Sequence, residues 1–355
     1  MEFLNFKENA LWINIAAFCV TAVVVWIAGT RIARYADKIA TATGLGHAAV
    51  GLVLLAGITS LPEVAVSVTA AAEGSPALAV NNLLGSIAMQ IAILAVADAI
   101  IGRDALTSVV ASPIILLQVA MNALLLVFVA AAISIGDRPL FSAGAWSWSM
   151  LILYGFAIWK ISTSQGRQHW MAKKSAHQKE QEEIRKKKQQ ENNSDDQNGN
   201  LKALIMKTVA AGAAILVAGF LLSRTGDAIA QQTGLGQSFV GAVLIAVSTS
   251  LPELSSVISA VRLGRYEMAI SDIFGTNLFN VGLIFLVDVV YRDGLVVNEI
   301  GQFSLFASLL GIAMASIYLI GLIERRDRTV ARMGIDSFAV LLSYIGGLFM
   351  LYQLR

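Results

Sequence analysis

Long stretches of this chain carry few or no charges; positions 15–28, 50–61, 111–133 and 339–352 are examples. With its apolar flanks, each is long enough for a helix of about 20 residues that crosses a bilayer. Five such segments lie at roughly 10–30, 47–72, 77–101, 106–133 and 143–160. Five more lie at roughly 203–223, 237–261, 267–290, 301–323 and 335–353. The pattern predicts an all-α polytopic membrane protein with ten transmembrane helices. Residues 161–200 between the two sets have almost no apolar side chains and are expected to form a hydrated polar linker, with room for a short helix around 179–190. The expected organisation is therefore a five-helix unit over 1–160, the linker over 161–200, and a second five-helix unit over 201–355.

The two units are copies of one another. TGLGHAAVGLVLLAGITSLPEVAVSVTAAAEG from Thr43 lies over TGLGQSFVGAVLIAVSTSLPELSSVISAVRLG from Thr233, at a constant offset of 190 residues. The match continues without a gap through NNLLGSIAMQ over SDIFGTNLFN and reaches Asp98 over Asp288. Apolar residues coincide easily by chance; Thr-Ser-Leu-Pro-Glu at 59–63 and again at 249–253 does not. Five spans is an odd number, so the second copy enters the membrane upside down. Two inverted five-helix repeats are the architecture of many alternating-access transporters.

Charge sets the orientation. With the amino terminus outside, 20 of the 26 lysines and arginines fall in inside loops and the linker, and Lys7, Arg138, Arg224, Arg292 and Arg355 fall outside. Both termini are thus expected outside the cytoplasm, with the protein in a bacterial inner (cell) membrane. The amino terminus has no basic region before its apolar stretch, so it is read as a retained helix. A 56% hydrophobic, 14% charged composition argues against one soluble core, which usually carries about 25% charged residues. A single cysteine, Cys19, excludes an internal disulfide and a thiolate cluster, and His47, His169 and His177 have no metal-site spacing.

The repeated Thr-Ser-Leu-Pro-Glu segments carry the candidate chemistry. Pro62 and Pro252 lack an amide proton, which frees the carbonyls of Ile58 and Ser248 inside their spans. In hydrocarbon such acceptors need a partner, a cavity or an ion. Thr59, Ser60, Thr249 and Ser250 add hydroxyl oxygens, a hard-oxygen setting suited to Na⁺ or Ca²⁺. Glu63 and Glu253 supply charge, and no lysine or arginine lies near either in sequence. Their expected partner is a bound cation or a proton: two carboxylates balance one divalent ion, and without it their repulsion favours taking up protons. On the following spans, Asn82, Ser86 and Gln90 form a polar stripe matched by Asp272, Thr276 and Asn280, with Asn277 beside it. Gly85 and Gly275 permit close helix contact there. Interhelical hydrogen bonding without an ion is the competing reading for these stripes, most of all for Asn82.

Other features carry less. Asp98 and Asp288 stand at span ends, where solvated or capping carboxylates are cheap, and His47 is read as incidental. Trp26, Trp146, Trp148 and Trp159 fit interfacial anchoring. The Lys186–Lys188 run is read as solvated loop charge. No phosphate loop, dinucleotide fingerprint, zinc motif or nucleophile elbow is present, so no enzyme activity and no cofactor are expected.

These motifs resemble the two signature repeats of the sodium/calcium exchanger family, part of the wider cation/calcium antiporter superfamily. The resemblance is specific over about 110 residues and, through the five-plus-five plan, extends over nearly the whole chain. It implies exchange of Ca²⁺ against Na⁺, K⁺ with Na⁺, or H⁺, with Glu63 and Glu253 as the principal Ca²⁺ ligands. Thr59, Ser60, Thr249 and Ser250 would assist, and Ser86 and Thr276 take the family's serine position. Gln90 departs from the usual asparagine, Asn280 from the aspartate of sodium-driven members, and Ile87 from an asparagine that Asn277 keeps. Ile58 and Ser248 stand where a glycine is usual. The centre thus lacks one carboxylate of the sodium-driven pattern, which favours trading one Ca²⁺ for protons.

The expected function is secondary active antiport of Ca²⁺ or a related cation against Na⁺ or H⁺ by alternating access. A non-transporting membrane sensor or scaffold, and a cation channel, remain as alternatives. The expected partners are the lipid bilayer and the transported inorganic cations, with no nucleic acid and no obligate protein partner.

Overall fold

The computed structural model of the protein describes residues 6–43, 60–101, 105–110, 112–164, 201–325, 329–330 and 333–355. Thr59, the three histidines, the linker after Ser164 with its expected short helix, and the Lys186–Lys188 run lie outside the described residues. The first half comprises α1 (Leu11–Thr43), α2 (Leu61–Ala72), α3 (Pro76–Ile101), the short α4 (Leu106–Val109), α5 (Pro113–Ile135) and α6 (Ala145–Ser164). Before α6, β1 (Pro139–Leu140) pairs antiparallel with β2 (Ala143–Gly144). The second half repeats the order as α7 (Leu201–Thr233), α8 (Gln237–Thr249), α9 (Leu251–Arg262), α10 (Tyr266–Val290), α11 (Val296–Glu299), α12 (Gln302–Glu324) and α13 (Ile335–Gln353). Its ribbon pairs β3 (Thr329–Val330) with β4 (Met333–Gly334). α1 and α7, α2 and α9, α4 and α11, and the two ribbons are each displaced by 190 residues at both ends. The offset legible over 43–100 therefore continues through the described chain.

The copies run in opposite directions, the packing of an inverted repeat. The start of α1 meets the end of α7, through the Lys7–Asp227 ion pair at 3.2 Å and an Asn14–Gln232 hydrogen bond at 3.0 Å. Near its start, α3 accepts a bond on Asn81 from Ser304 at the start of α12 (2.9 Å). At the opposite end, Gln118 of α5 donates to Ser271 near the start of α10 (2.9 Å). α3 and α10 form the middle of the bundle, with 78% and 72% of their spans buried, against 17% for α7. Peripheral helices leave Val20, Trp26, Val209 and Val217 exposed, as lipid-facing surface requires.

Ten spans were expected; among the described residues, seven helices are long and apolar enough to cross a membrane, and eight if the bent pair α8–α9 counts as one. The two shortfalls have simple causes. α6 has 20 residues, but Ser147, Ser149, Lys160 and three tryptophans dilute its apolar character. α2 is only 12 residues long, and the remainder of its expected span lies outside the described residues. Trp146 packs on Phe128 and Trp148 on Phe285 with both rings still partly exposed, while Trp26 and Trp159 are exposed.

Every helix-starting proline obeys one rule. Pro62, Pro76, Pro113 and Pro252 fall in first turns, where a missing N–H breaks no intrahelical bond. For α2 and α9 the consequence is a break just before the proline, at Ser60 (φ −84°, ψ 10°) and Ser250 (φ −86°, ψ 3°). α8 and α9 consequently meet at 45°.

Asp98 and Asp288 cap, as one sequence reading allowed, but they are buried rather than solvated. Asp98 accepts from Leu106 N (2.6 Å) and Gly334 N (2.7 Å). Asp288 accepts from Val296 N (2.7 Å) and Gly144 N (2.6 Å). Each carboxylate thus closes the short helix that follows it and reaches the ribbon of the other copy. Charge-assisted bonds of this kind contribute about 1.5–3 kcal/mol each.

Candidate functional site

Glu63 and Glu253 are the third residues of α2 and α9, so each lies in a first turn beside the positive end of a helix macrodipole. That position offsets part of the cost of burying a negative charge. Both are fully buried, and none of their four carboxylate oxygens has a hydrogen-bond partner of good geometry among the described residues. Glu253 lies within electrostatic reach of both Glu63 and Asp272, and Thr249 within reach of Glu63.

Hydroxyls connect the two copies. Thr249, the last residue of α8, contacts Ser86 Oγ on α3 at 3.3 Å and donates to Asn82 Oδ1 at 3.4 Å. Asn82 in turn donates to Ser67 Oγ on α2 (3.1 Å). By the 190-residue offset the counterpart contact would join Thr276 to Thr59, which lies outside the described residues. Asp272 is only partly buried and accepts from Ser256 Oγ at 2.7 Å, so it is separated chemically from the unpartnered group.

The remaining expected residues share one property. Ser60, Gln90, Ser250, Thr276, Asn277 and Asn280 are at most 1% exposed, and their side-chain oxygens and amide nitrogens are unpartnered among the described residues. Together with Glu63 and Glu253 they own 13 of the 23 buried orphaned polar atoms, though they are few in a long chain. Buried polar atoms are normally bonded, so these orphans are the candidates for contact with an occupant. The donor set is carboxylate, amide and hydroxyl oxygen, which suits a hard cation. Among the described residues no three Asp, Glu, His or Cys side chains form a metal cluster, so the charge available is that of the two glutamates, with Asp272 nearby.

Close packing holds this centre together. α8 contains a widened π-helical stretch, Val240–Ile245, whose Ala242 backbone presses on Gly85 of α3, while Gly241 faces the Leu78 carbonyl. A side chain on Gly85 would land on that backbone. Gly85→Leu is therefore expected to lower the thermal unfolding midpoint of the purified protein, by overpacking of about 1–3 kcal/mol. Gly155→Ala, on an exposed face with no atom within 4 Å of the added carbon, is expected to leave the midpoint unchanged or raise it.

Sequence reasoning missed several members. Ser67 and Ser256 bind the polar stripes, and Asn122 on α5 is fully buried with both amide atoms unpartnered. Their signal was a polar residue in an apolar run; Gln118 and Asn122 even share the i, i+4 spacing of the recognised stripes.

The sequence profile of the sodium/calcium exchanger protein family matches the chain over residues 13–162 and 204–353. The chain is similar to the sodium/calcium exchanger MaX1 of Methanosarcina acetivorans, 28% identical over 341 residues that cover 88% of this chain and 93% of that protein. In fold it is similar to the sodium-calcium exchanger NCX_Mj, at 17% identity and a TM-score of 0.59, over 95% of this chain and 98% of that one. It is also similar in fold to the H⁺/Ca²⁺ exchanger CAX, at 12% identity and a TM-score of 0.66, over 96% of this chain and 85% of that one.

Proposed function

The chain belongs to the sodium/calcium exchanger protein family, and from that premise we propose that it is a secondary active antiporter that carries Ca²⁺ against protons by alternating access. The observation that carries this reading is the pair Glu63 and Glu253, one from each inverted copy, buried with no oxygen in a hydrogen bond of good geometry among the described residues. Their two charges match one Ca²⁺. Ser60, Ser250, Thr249, Ser86 and Thr276 supply hydroxyls, Gln90, Asn277 and Asn280 supply amides, and Thr59 completes the set by its repeat position. Asp272 serves from the edge of the centre, where Ser256 holds it.

The antiport cycle follows from charge. Two empty carboxylates cannot recross a low-dielectric interior together at acceptable cost, so the return leg needs cations or protons in place of Ca²⁺. Likeness in fold to both a sodium-linked and a proton-linked exchanger leaves the counter-ion to the side chains. Neutral amides at Gln90 and Asn280 favour protons, because they offer no third charge inside the centre for extra Na⁺. Inverted copies let one site open first to one side and then to the other.

In this reading α6 and the span completed by α2 bring the count to ten helices. Both termini and the Arg138 loop lie outside, with the linker in the cytoplasm, as the 20-to-5 basic bias requires. The test is uptake of radioactive Ca²⁺ by proteoliposomes containing purified protein, with proton or sodium gradients imposed and the membrane potential clamped. Gradient-driven accumulation is expected. Absence of flux would support a sensor or scaffold instead, and continuous current far above carrier turnover would support a channel.

A further inference from the structure

The two ends of the bundle share one plan and differ at two side chains. At the Asp288 end, Phe128 and Trp146 meet edge-on at 6.0 Å. The 190-residue offset places Tyr318 and Asp336 at the equivalent positions of the Asp98 end. An apolar ring pair has become a phenol and a carboxylate.

Neither new polar group is satisfied. Tyr318 is fully buried against Phe274, at 5.7 Å between rings, and its hydroxyl has no hydrogen-bond partner among the described residues. Ser337 is also fully buried, with its hydroxyl within reach of Asp98. Asp336 is half-buried, and its Oδ2 has no partner among the described residues. At the other end Asp137, whose repeat counterpart is Asp327 and not Asp336, has its Oδ1 held by the backbone N–H groups of Arg138 (2.8 Å) and Trp146 (3.0 Å), while its Oδ2 has no partner among the described residues.

Gly334 shows how close the Asp98-end groups lie. A side chain beginning there would touch Asp336 Oδ1 and stand 3.3 Å from Asp98 Oδ2. The two carboxylates are therefore neighbours, and Tyr318 is within electrostatic reach of both. Asp98 already accepts one N–H on each oxygen, and each oxygen keeps a further lone pair. An open cavity of about 330 Å³ adjoins Asp336, lined for the most part by the apolar side chains of Ile317, Ile320, Ile335 and Ala339, with Gly321 and Glu324. It has room for several waters, each occupying about 30 Å³.

We propose that Asp98, Asp336, Tyr318 and Ser337 form a second cation site, separate from the Glu63–Glu253 centre, that takes a hard divalent cation such as Ca²⁺. Two adjacent carboxylates, Asp98 buried and Asp336 half-buried, match the charge of such an ion, whereas a single proton or Na⁺ leaves one of them uncompensated. Carboxylate and hydroxyl oxygens are its preferred ligands, and waters from the adjoining cavity complete a coordination of about 6–8 oxygens. The site does not depend on the transport reading, because it uses none of the residues assigned to transport. At the other end Asp288, Asp137 and Ser147 recur around Gly144, but Phe128 supplies no phenol oxygen there.

The test uses full-length purified Glu63→Gln/Glu253→Gln protein, whose central site is disabled, titrated at equilibrium with radioactive Ca²⁺. About one bound Ca²⁺ per chain is expected to persist. Adding Asp336→Asn should weaken it by about tenfold or more, since ligand charge sets affinity at such sites. Adding Tyr318→Phe installs the side chain that the other copy already has at 128, so the fold is expected to survive and affinity to drop a few-fold. Loss of residual binding in either variant counts only where the thermal unfolding midpoint without Ca²⁺ matches the parent, and Tyr318→Phe decides should Asp336→Asn misfold. No residual Ca²⁺ in the parent variant, or residual binding that these substitutions leave unchanged in folded protein, overturns the proposal.

Discussion

Replacing either central glutamate by glutamine is expected to abolish Ca²⁺ exchange while leaving the protein folded. Glu63→Gln and Glu253→Gln each keep the side-chain shape and remove one of the two charges assigned to the ion. Breaking a buried charge pairing by deleting one partner costs about 3–5 kcal/mol, roughly two to four powers of ten in affinity. Stability should move the other way. Both carboxylates are fully buried with no hydrogen-bond partner of good geometry among the described residues, so in Ca²⁺-free buffer the amide variants should unfold at the same temperature as the parent or higher. That opposite pair of signs separates an ion ligand from a structural residue. Gradient-driven uptake of radioactive Ca²⁺ and thermal unfolding of the same preparation would be measured together, and near-normal flux in either variant would defeat the assignment.

The coupling ion should follow the amides. Reconstituted protein is expected to accumulate Ca²⁺ under a proton gradient at least as well as under a sodium gradient. Asn280→Asp should shift that balance toward Na⁺. Asn280 is fully buried on α10 with both amide atoms unpartnered, so a carboxylate there would add a third negative charge within the centre. Asp272, two turns earlier on the same helix, does not already fill that role, because it is partly exposed and accepts a bond from Ser256. Because Glu63 and Glu253 titrate together, the pH dependence of exchange reports the pair rather than either residue. The measurement imposes each gradient separately at clamped potential, before and after Asn280→Asp. Strong sodium-driven exchange by the parent protein, with no response to a proton gradient at any pH near neutrality, would overturn the proton reading.

Much of the centre could be read in the sequence because its logic is covalent. A proline two residues past a serine dictates where a helix restarts, and a glutamate next to it must then fall in a first turn, as Glu63 and Glu253 do. The polar stripes on α3 and α10 were equally legible, since i, i+4 spacing fixes a helix face. Cross-repeat contacts were not. The acceptors Asp98 and Asp288 announce themselves, but their donors are the backbone N–H groups of Gly334 and Gly144, which leave no side-chain trace. The π stretch Val240–Ile245 is similarly invisible, because it answers to the approach of Gly85 from another helix. The ring contacts of Trp146 with Phe128 and of Trp148 with Phe285 likewise come only from the tertiary arrangement.

The Asp98–Gly334 bond also imposes an order on biosynthesis. Its partners are 236 residues apart in the chain, whereas Gly144 and Asp288 are separated by 144. At a synthesis rate of about 5–20 residues per second, Asp98 would leave the ribosome on the order of ten to fifty seconds before Gly334 exists. During that interval the first half would be held in the bilayer with one oxygen of a buried-to-be carboxylate lacking its native donor. Gly144 waits in the same way, for a shorter time, until Asp288 is made. Neither half can therefore mature alone; the last fifth of the polypeptide closes a bond opened by the first third.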